Sequence, residues 1–95
     1  MKKKIVILGS TGSIGTTTIN IIKKDKRKFI IKLLSTNKNI KKVYNQAKLF
    51  SVKDVIVNDY DSYIKAKKIY KKSNIRFHCS FSIINKLFKK KEIFY

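Results

Sequence analysis

Three residues of this chain are placed where they could do chemistry together: Gly9, Gly12 and Gly15, all the glycine it has. They punctuate Gly9-Ser10-Thr11-Gly12-Ser13-Ile14-Gly15, directly after the apolar run Ile5-Val6-Ile7-Leu8. Beyond them Ile14, Thr18, Ile21 and Ile22 recur at helical spacing. Backbone without Cβ atoms lets a pyrophosphate come close, and a helix beginning near Ser13 would aim free N–H groups and its positive dipole end at it. The hydroxyls of Ser10, Thr11 and Ser13 are further donors. The even spacing departs from the commonest dinucleotide fingerprint, so spacing alone leaves two readings, a phosphate cradle or a tight turn packing helix on strand. With a strand before it and a helix after it, nucleotide binding is the expectation, with Gly12 giving room to the pyrophosphate and taking a left-handed backbone conformation.

The second determinant of a dinucleotide site lies after the second strand, where an acidic side chain would hold a ribose 2′-hydroxyl. No Asp or Glu occurs from Lys26 to Lys53. The chain reads Ser35-Thr36-Asn37-Lys38-Asn39 there, a cation among amide donors, which suits a 2′-phosphate and hence NADPH, with Lys38 as the charge partner.

The elements that must position these residues alternate. Strands are expected at Ile5 to Leu8, Phe29 to Leu34, Val55 to Val57 and Ile75 to His78, with a fifth starting at Ile93-Phe94-Tyr95. Helices are expected from Ser13, after Asn39 as cap (Ile40, Val43, Tyr44, Ala47, Phe50), after Asp61 as cap (Tyr63, Ala66, Ile69, Tyr70), and over Ile83, Ile84, Leu87 and Phe88. Such alternation means right-handed βαβ units. The expected fold is α/β, a partial Rossmann-like doubly wound parallel sheet of about four βα units, in strand order 3-2-1-4. Residues 1–95 read as one domain, incomplete against the roughly six strands of a whole nucleotide domain.

Other residues invite weaker readings. Asp59 and Asp61 are the closest carboxylate pair, too few for a metal site, and His78 with Cys79 lacks the third group that a metal centre or a nucleophile needs. Both pairs read as structural. The net charge of +19 suggests nucleic acid. Against that, Lys, Ile, Asn, Phe, Tyr and Met make up 57 of the 95 residues, the signature of AT-rich codons, and the 22 lysines are spread along every segment. Arginine, the residue of bidentate base and phosphate contacts, occurs twice. One cysteine allows no internal disulfide, and no apolar run approaches the roughly 18 residues of a membrane span, so a cytoplasmic protein without membrane or nucleic-acid partner is expected.

The run from Lys3 to Thr18, and Leu8 to Gly15 most specifically, closely resembles the opening of 1-deoxy-D-xylulose 5-phosphate reductoisomerases. The resemblance implies that Thr11, Gly12, Ser13 and Ile14 contact the NADPH phosphates and that Asn37, Lys38 and Asn39 form the segment after the second strand, with Gly9, Ser10 and Gly15 completing the turn. It departs from the family pattern at Asn37, where Gly is common, and in lacking a proline between Asp25 and Lys28. It further implies an oxidoreductase of isoprenoid biosynthesis, a cytoplasmic or plastid homodimer when full length. That enzyme uses NADPH and Mg²⁺ or Mn²⁺ to rearrange and reduce 1-deoxy-D-xylulose 5-phosphate to 2-C-methyl-D-erythritol 4-phosphate. The family's catalytic and metal-binding residues lie past the length of this chain, so none is assigned and the chain alone is expected to be inactive. Two alternatives stand beside it: part of another NADP-dependent reductase of the semialdehyde dehydrogenase type, or a small basic nucleic-acid-binding protein.

Overall fold

A computed structural model describes residues 3–87 and 93–94. In chain order these form β1 (Lys3–Ile7), α1 (Ser13–Lys23), a short 3₁₀ turn (Lys26–Lys28), β2 (Phe29–Thr36), α2 (Ile40–Leu49), β3 (Asp54–Val57), α3 (Tyr60–Ile69), β4 (Arg76–His78), α4 (Ile83–Leu87) and β5 (Ile93–Phe94). Phe88 and Tyr95, expected at the ends of the last helix and strand, lie outside the described residues.

All five strands are parallel, in the order β4-β3-β2-β1-β5. The expected order, with the fourth strand beside the first, is therefore corrected: β4 lies outside β3, and it is β5 that pairs with β1. Packing explains the difference. A right-handed crossover whose helix returns to the same face steps the next strand outward in the same direction each time. The buried side chains of α1, α2 and α3 (Ile19, Ile22, Val43, Ala47, Ala66) all join one cluster with Ile5, Ile7, Leu34, Val55 and Val57 of the sheet. Phe77 of β4 belongs to the same cluster, and Tyr70 stacks between it and Tyr44, with ring centroids 6.0 and 3.8 Å away. That aromatic column ties β4 to the outer side of β3.

The direction then reverses. Val6, Leu33 and Ile56 form a second, smaller cluster on the opposite face, covered by Ile83 and Ile84 of α4. Helices on both faces make the sheet doubly wound, as expected. Ile31 and Leu33 have the same parity in β2 yet face opposite sides, because the pairing with β1 shifts between Ile5 and Val6 and skips Lys32. That bulge turns the last residues of β2 so that Ser35 and Thr36 reach β1's exit.

β3 opens with a buried acid. The Asp54 carboxylate accepts two hydrogen bonds from Arg76, at 2.9 Å each, and lies 3.0 Å from His78 Nε2. Burial pushes this carboxyl up, but the hydrogen bonds and charges of Arg76 and His78 outweigh that effect and hold it below its ordinary value. A depressed carboxyl stabilises the fold above its unfolded pKa of about 3.9 and loses that contribution as pH falls through the lower folded value. Asp54→Asn is therefore expected to lower stability near neutrality by about 1–2 kcal/mol, a modest figure because Arg76 is mostly solvated. The variant should also show a flatter loss of stability below about pH 4. Urea melts at pH 7 and pH 3 measure both; identical pH dependence in the two proteins would contradict it.

Candidate functional site

β1 has β2 on one side and β5 on the other, so its C-terminal end marks the place where the chain's winding reverses. In open parallel sheets that crevice is where ligands bind. Here it is a cleft of about 510 Å³ whose walls include Ile7, Gly9, Gly12, Ser13, Ile14 and Thr18. The helix behind it starts at Ser13 with Gly12 as its cap residue, so no side chain caps the first turn, and no acidic residue stands there to repel an anion. First-turn N–H groups have no partner within a helix, which leaves this end suited to phosphate oxygens.

The three glycines serve three different ends. Gly9 takes φ +67°, the left-handed region, and turns the chain out of β1. Gly15 is buried where α1 crosses the turn; a Cβ there would lie 2.2 Å from the Gly9 carbonyl oxygen and 2.6 Å from Ser10 Cα. Gly12 corrects the sequence expectation. Its backbone is extended, φ −78° and ψ 178°, and a Cβ would meet nothing nearer than the Gly9 oxygen at 3.4 Å. Its missing side chain leaves the cleft open rather than relieving the backbone. An open cradle over a helix start is the shape a pyrophosphate needs, so the site fits the phosphates of a dinucleotide.

The turn is braced from beneath. The Gly9 amide donates to Ser35 Oγ (2.7 Å) and the Ser10 amide to the Ser35 carbonyl (2.8 Å). Ser10, fully buried, donates its hydroxyl to Gln46 Oε1 (2.7 Å), and Gln46 Nε2 donates back to the Ser10 carbonyl (2.9 Å). Thr11 and Thr36 share a 2.6 Å hydroxyl bond, and Lys42 Nζ donates to the Thr11 carbonyl at 3.2 Å. Ser10 is thus turned into the protein, and of the three expected hydroxyl donors Ser13 is the exposed one. Ser35, Thr36, Lys42 and Gln46 were not expected to have such roles. Gln46 had a signal, a polar residue three after Val43 on the apolar face of α2. Ser35 and Thr36 had none, because buried strand hydroxyls and loop hydroxyls look alike in sequence. Gln46→Leu would leave the Ser10 carbonyl buried without its partner and the Ser10 hydroxyl with only its 3.2 Å bond to the Ser35 carbonyl, and a destabilisation of about 1–3 kcal/mol in a urea melt is expected; no change would mean the pair is replaceable by packing.

The loop after β2 brings Asn37, Lys38 and Asn39 to the same end of the sheet, all exposed. Asn39 caps α2 as expected, its side chain accepting from the Lys42 amide at 3.3 Å. The Asp59 amide donates to the Asn37 carbonyl, which docks the β3–α3 loop here. Asp59, rather than Asp61, caps α3, accepting from the amide and hydroxyl of Ser62 at 3.0 and 2.7 Å. Those bonds hold its carboxyl below the ordinary value, with a smaller Coulombic pull from Lys38. His78 is bound to Asp54 at the opposite end of the sheet from the cleft, and the Cys79 thiol lies 3.8 Å from the Asn58 carbonyl. Among the described residues no three His, Cys, Asp or Glu side chains lie close enough to hold a metal ion, and no helix is long and apolar enough to cross a membrane.

A family model of 1-deoxy-D-xylulose 5-phosphate reductoisomerase matches residues 5–93. The protein of that name from Pelagibacter ubique is 49% identical over 86 residues, covering 90% of this chain and 22% of the relative. The one from Clostridium novyi is 36% identical over 74 residues, covering 78% and 19%. Among solved structures, the reductoisomerase from Zymomonas mobilis in complex with NADPH superposes with a TM-score of 0.80 at 23% identity, covering 92% of this chain and 23% of that one. A reductoisomerase in complex with NADPH, fosmidomycin and magnesium superposes at 0.78 and 21% identity, covering 90% and 21%. The chain spans about a fifth of the length of these relatives. The match over nearly all its residues places the chain in the 1-deoxy-D-xylulose 5-phosphate reductoisomerase family.

Proposed function

We propose that residues 1–95 form the amino-terminal NADPH-binding domain of an enzyme that rearranges and reduces 1-deoxy-D-xylulose 5-phosphate to 2-C-methyl-D-erythritol 4-phosphate in non-mevalonate isoprenoid biosynthesis. The observation that carries this reading is the open glycine cradle at the winding reversal of the sheet, in a chain of this family. Gly9 to Gly15 would receive the pyrophosphate, through backbone amides at the start of α1 and the hydroxyl of Ser13. Asn37, Lys38 and Asn39 would border the adenosine ribose, with no carboxylate between Lys26 and Lys53 to oppose a 2′-phosphate. NADPH, when bound, supplies the hydride. The relatives' complexes with NADPH and magnesium support both cofactors, and the metal would be held by parts of the enzyme other than these residues. A cytoplasmic homodimer without nucleic-acid or membrane partners completes the proposal.

Titration of the full-length enzyme with NADPH and NADH tests it. NADPH is expected to bind at least about tenfold tighter, as loss of a charge-assisted phosphate contact would predict. Its oxidation should require both 1-deoxy-D-xylulose 5-phosphate and Mg²⁺ or Mn²⁺, and the 95 residues alone should show no turnover. Equal affinity for the two dinucleotides would overturn the cofactor assignment.

A further inference from the structure

We propose that Lys42, on the first turn of α2, is the cation that selects the 2′-phosphate of NADPH, ahead of Lys38; this rests on the reading of the cleft as a dinucleotide site. Lys42 and Lys38 both belong to the segment from the β2–α2 loop to the first turn of α2, and their surroundings differ. Lys38 is exposed on the loop and exerts a weak Coulombic pull on the nearby Asp59 carboxylate. Lys42 is half-buried, and its ammonium is fixed on the Thr11 carbonyl at 3.2 Å. Among the described residues no carboxylate lies within ion-pair distance of it.

An ammonium has three N–H groups. One is used on Thr11, which leaves two for an incoming anion. The anchoring bond spans the gap between the turn that would hold the pyrophosphate and the helix following the second strand. In a dinucleotide fold the ribose attached to that pyrophosphate lies over the end of the second strand. A positive charge held on that line, by a side chain whose rotamer freedom is already spent on Thr11, is preorganised for a phosphate on the ribose. The Asn39 side chain, by accepting from the Lys42 amide, holds the first turn of α2 in the register that this requires.

The same anchor could brace the turn and nothing more, and the two dinucleotides separate these roles. In the full-length enzyme, Lys42→Met is expected to raise the Kd for NADPH by about 10- to 100-fold while changing that for NADH by less than about twofold. Lys42→Arg should retain most of the preference, and Lys38→Met should cost NADPH less than Lys42→Met does. Circular dichroism melts confirm that each variant is folded. A parallel loss for NADPH and NADH would show a bracing role alone and overturn the proposal, as would no change, or a selective loss as large or larger in Lys38→Met. Failure of the dinucleotide reading itself would appear earlier, in a wild-type enzyme that binds neither cofactor or binds both equally, and would overturn the Lys42 assignment with it.

Discussion

Gly15→Ala is expected to cripple the domain, folding and cofactor binding together. One methyl group is enough, because the added Cβ would stand 2.2 Å from the Gly9 oxygen, 2.6 Å from Ser10 Cα and 2.8 Å from Ser10 C. All three atoms are backbone, and they belong to a turn that cannot move aside: the Gly9 and Ser10 amides are bonded to Ser35, and Ser10 is clasped by Gln46. Helix α1 must therefore back away from the sheet, opening space around Ile19 and Ile22, both buried in the main cluster. Overpacking costs about 1–3 kcal/mol where the neighbours can adjust, and more where they are fixed backbone. Each kcal/mol lowers the Tm of a domain this size by about 4–8 °C. A melt of the variant should therefore fall by ten degrees or more on that scale, with NADPH affinity lost as the first turn of α1 leaves the cradle. A melt within a few degrees of wild type would mean that α1 does not cross the turn this closely.

The contrast among the glycines shows what a sequence can and cannot disclose. That Gly9, Gly12 and Gly15 mark a strand-to-helix turn was legible from their neighbours, because a branched apolar run and a 3.6-residue periodicity flank them. The division of labour was not. Which glycine needs the left-handed region depends on where the strand leaves the sheet, and only Gly9 does so. The strand order was misread for a similar reason. Alternation of strands and helices specifies crossovers and their hand, but the direction of each step depends on which face receives the helix. Here that is settled by the Tyr44, Tyr70 and Phe77 column, whose members are 33 residues apart at the extremes. Asp54 was invisible in the same way: its partners at Arg76 and His78 are brought to it by strand pairing alone. The brace under the turn was the largest omission, since Ser35 and Thr36 read as loop until the bulge at Lys32 is known to carry the strand through them.

Gly12→Val is expected to do the opposite of Gly15→Ala, removing the cofactor from a domain that remains folded. The backbone at Gly12 is one that any residue adopts, and its nearest neighbour to a new Cβ is at ordinary contact distance, 3.4 Å. The fold should lose about 1 kcal/mol, the difference between Gly and a branched apolar residue at a helix cap. The cleft has no such tolerance. Two methyl groups at position 12 would project over the start of α1, into the space from which phosphate oxygens must reach the first-turn amides. Binding of NADPH and NADH should weaken alike, by about 100-fold or more, because both carry the same pyrophosphate. That parallel loss distinguishes the position from Lys42, where the effect should fall on NADPH alone. Titration of both dinucleotides, with a melt of each variant, reads all of this. Retained affinity in a folded Gly12→Val enzyme would move the pyrophosphate away from the glycine turn, and with it the functional reading of the cleft.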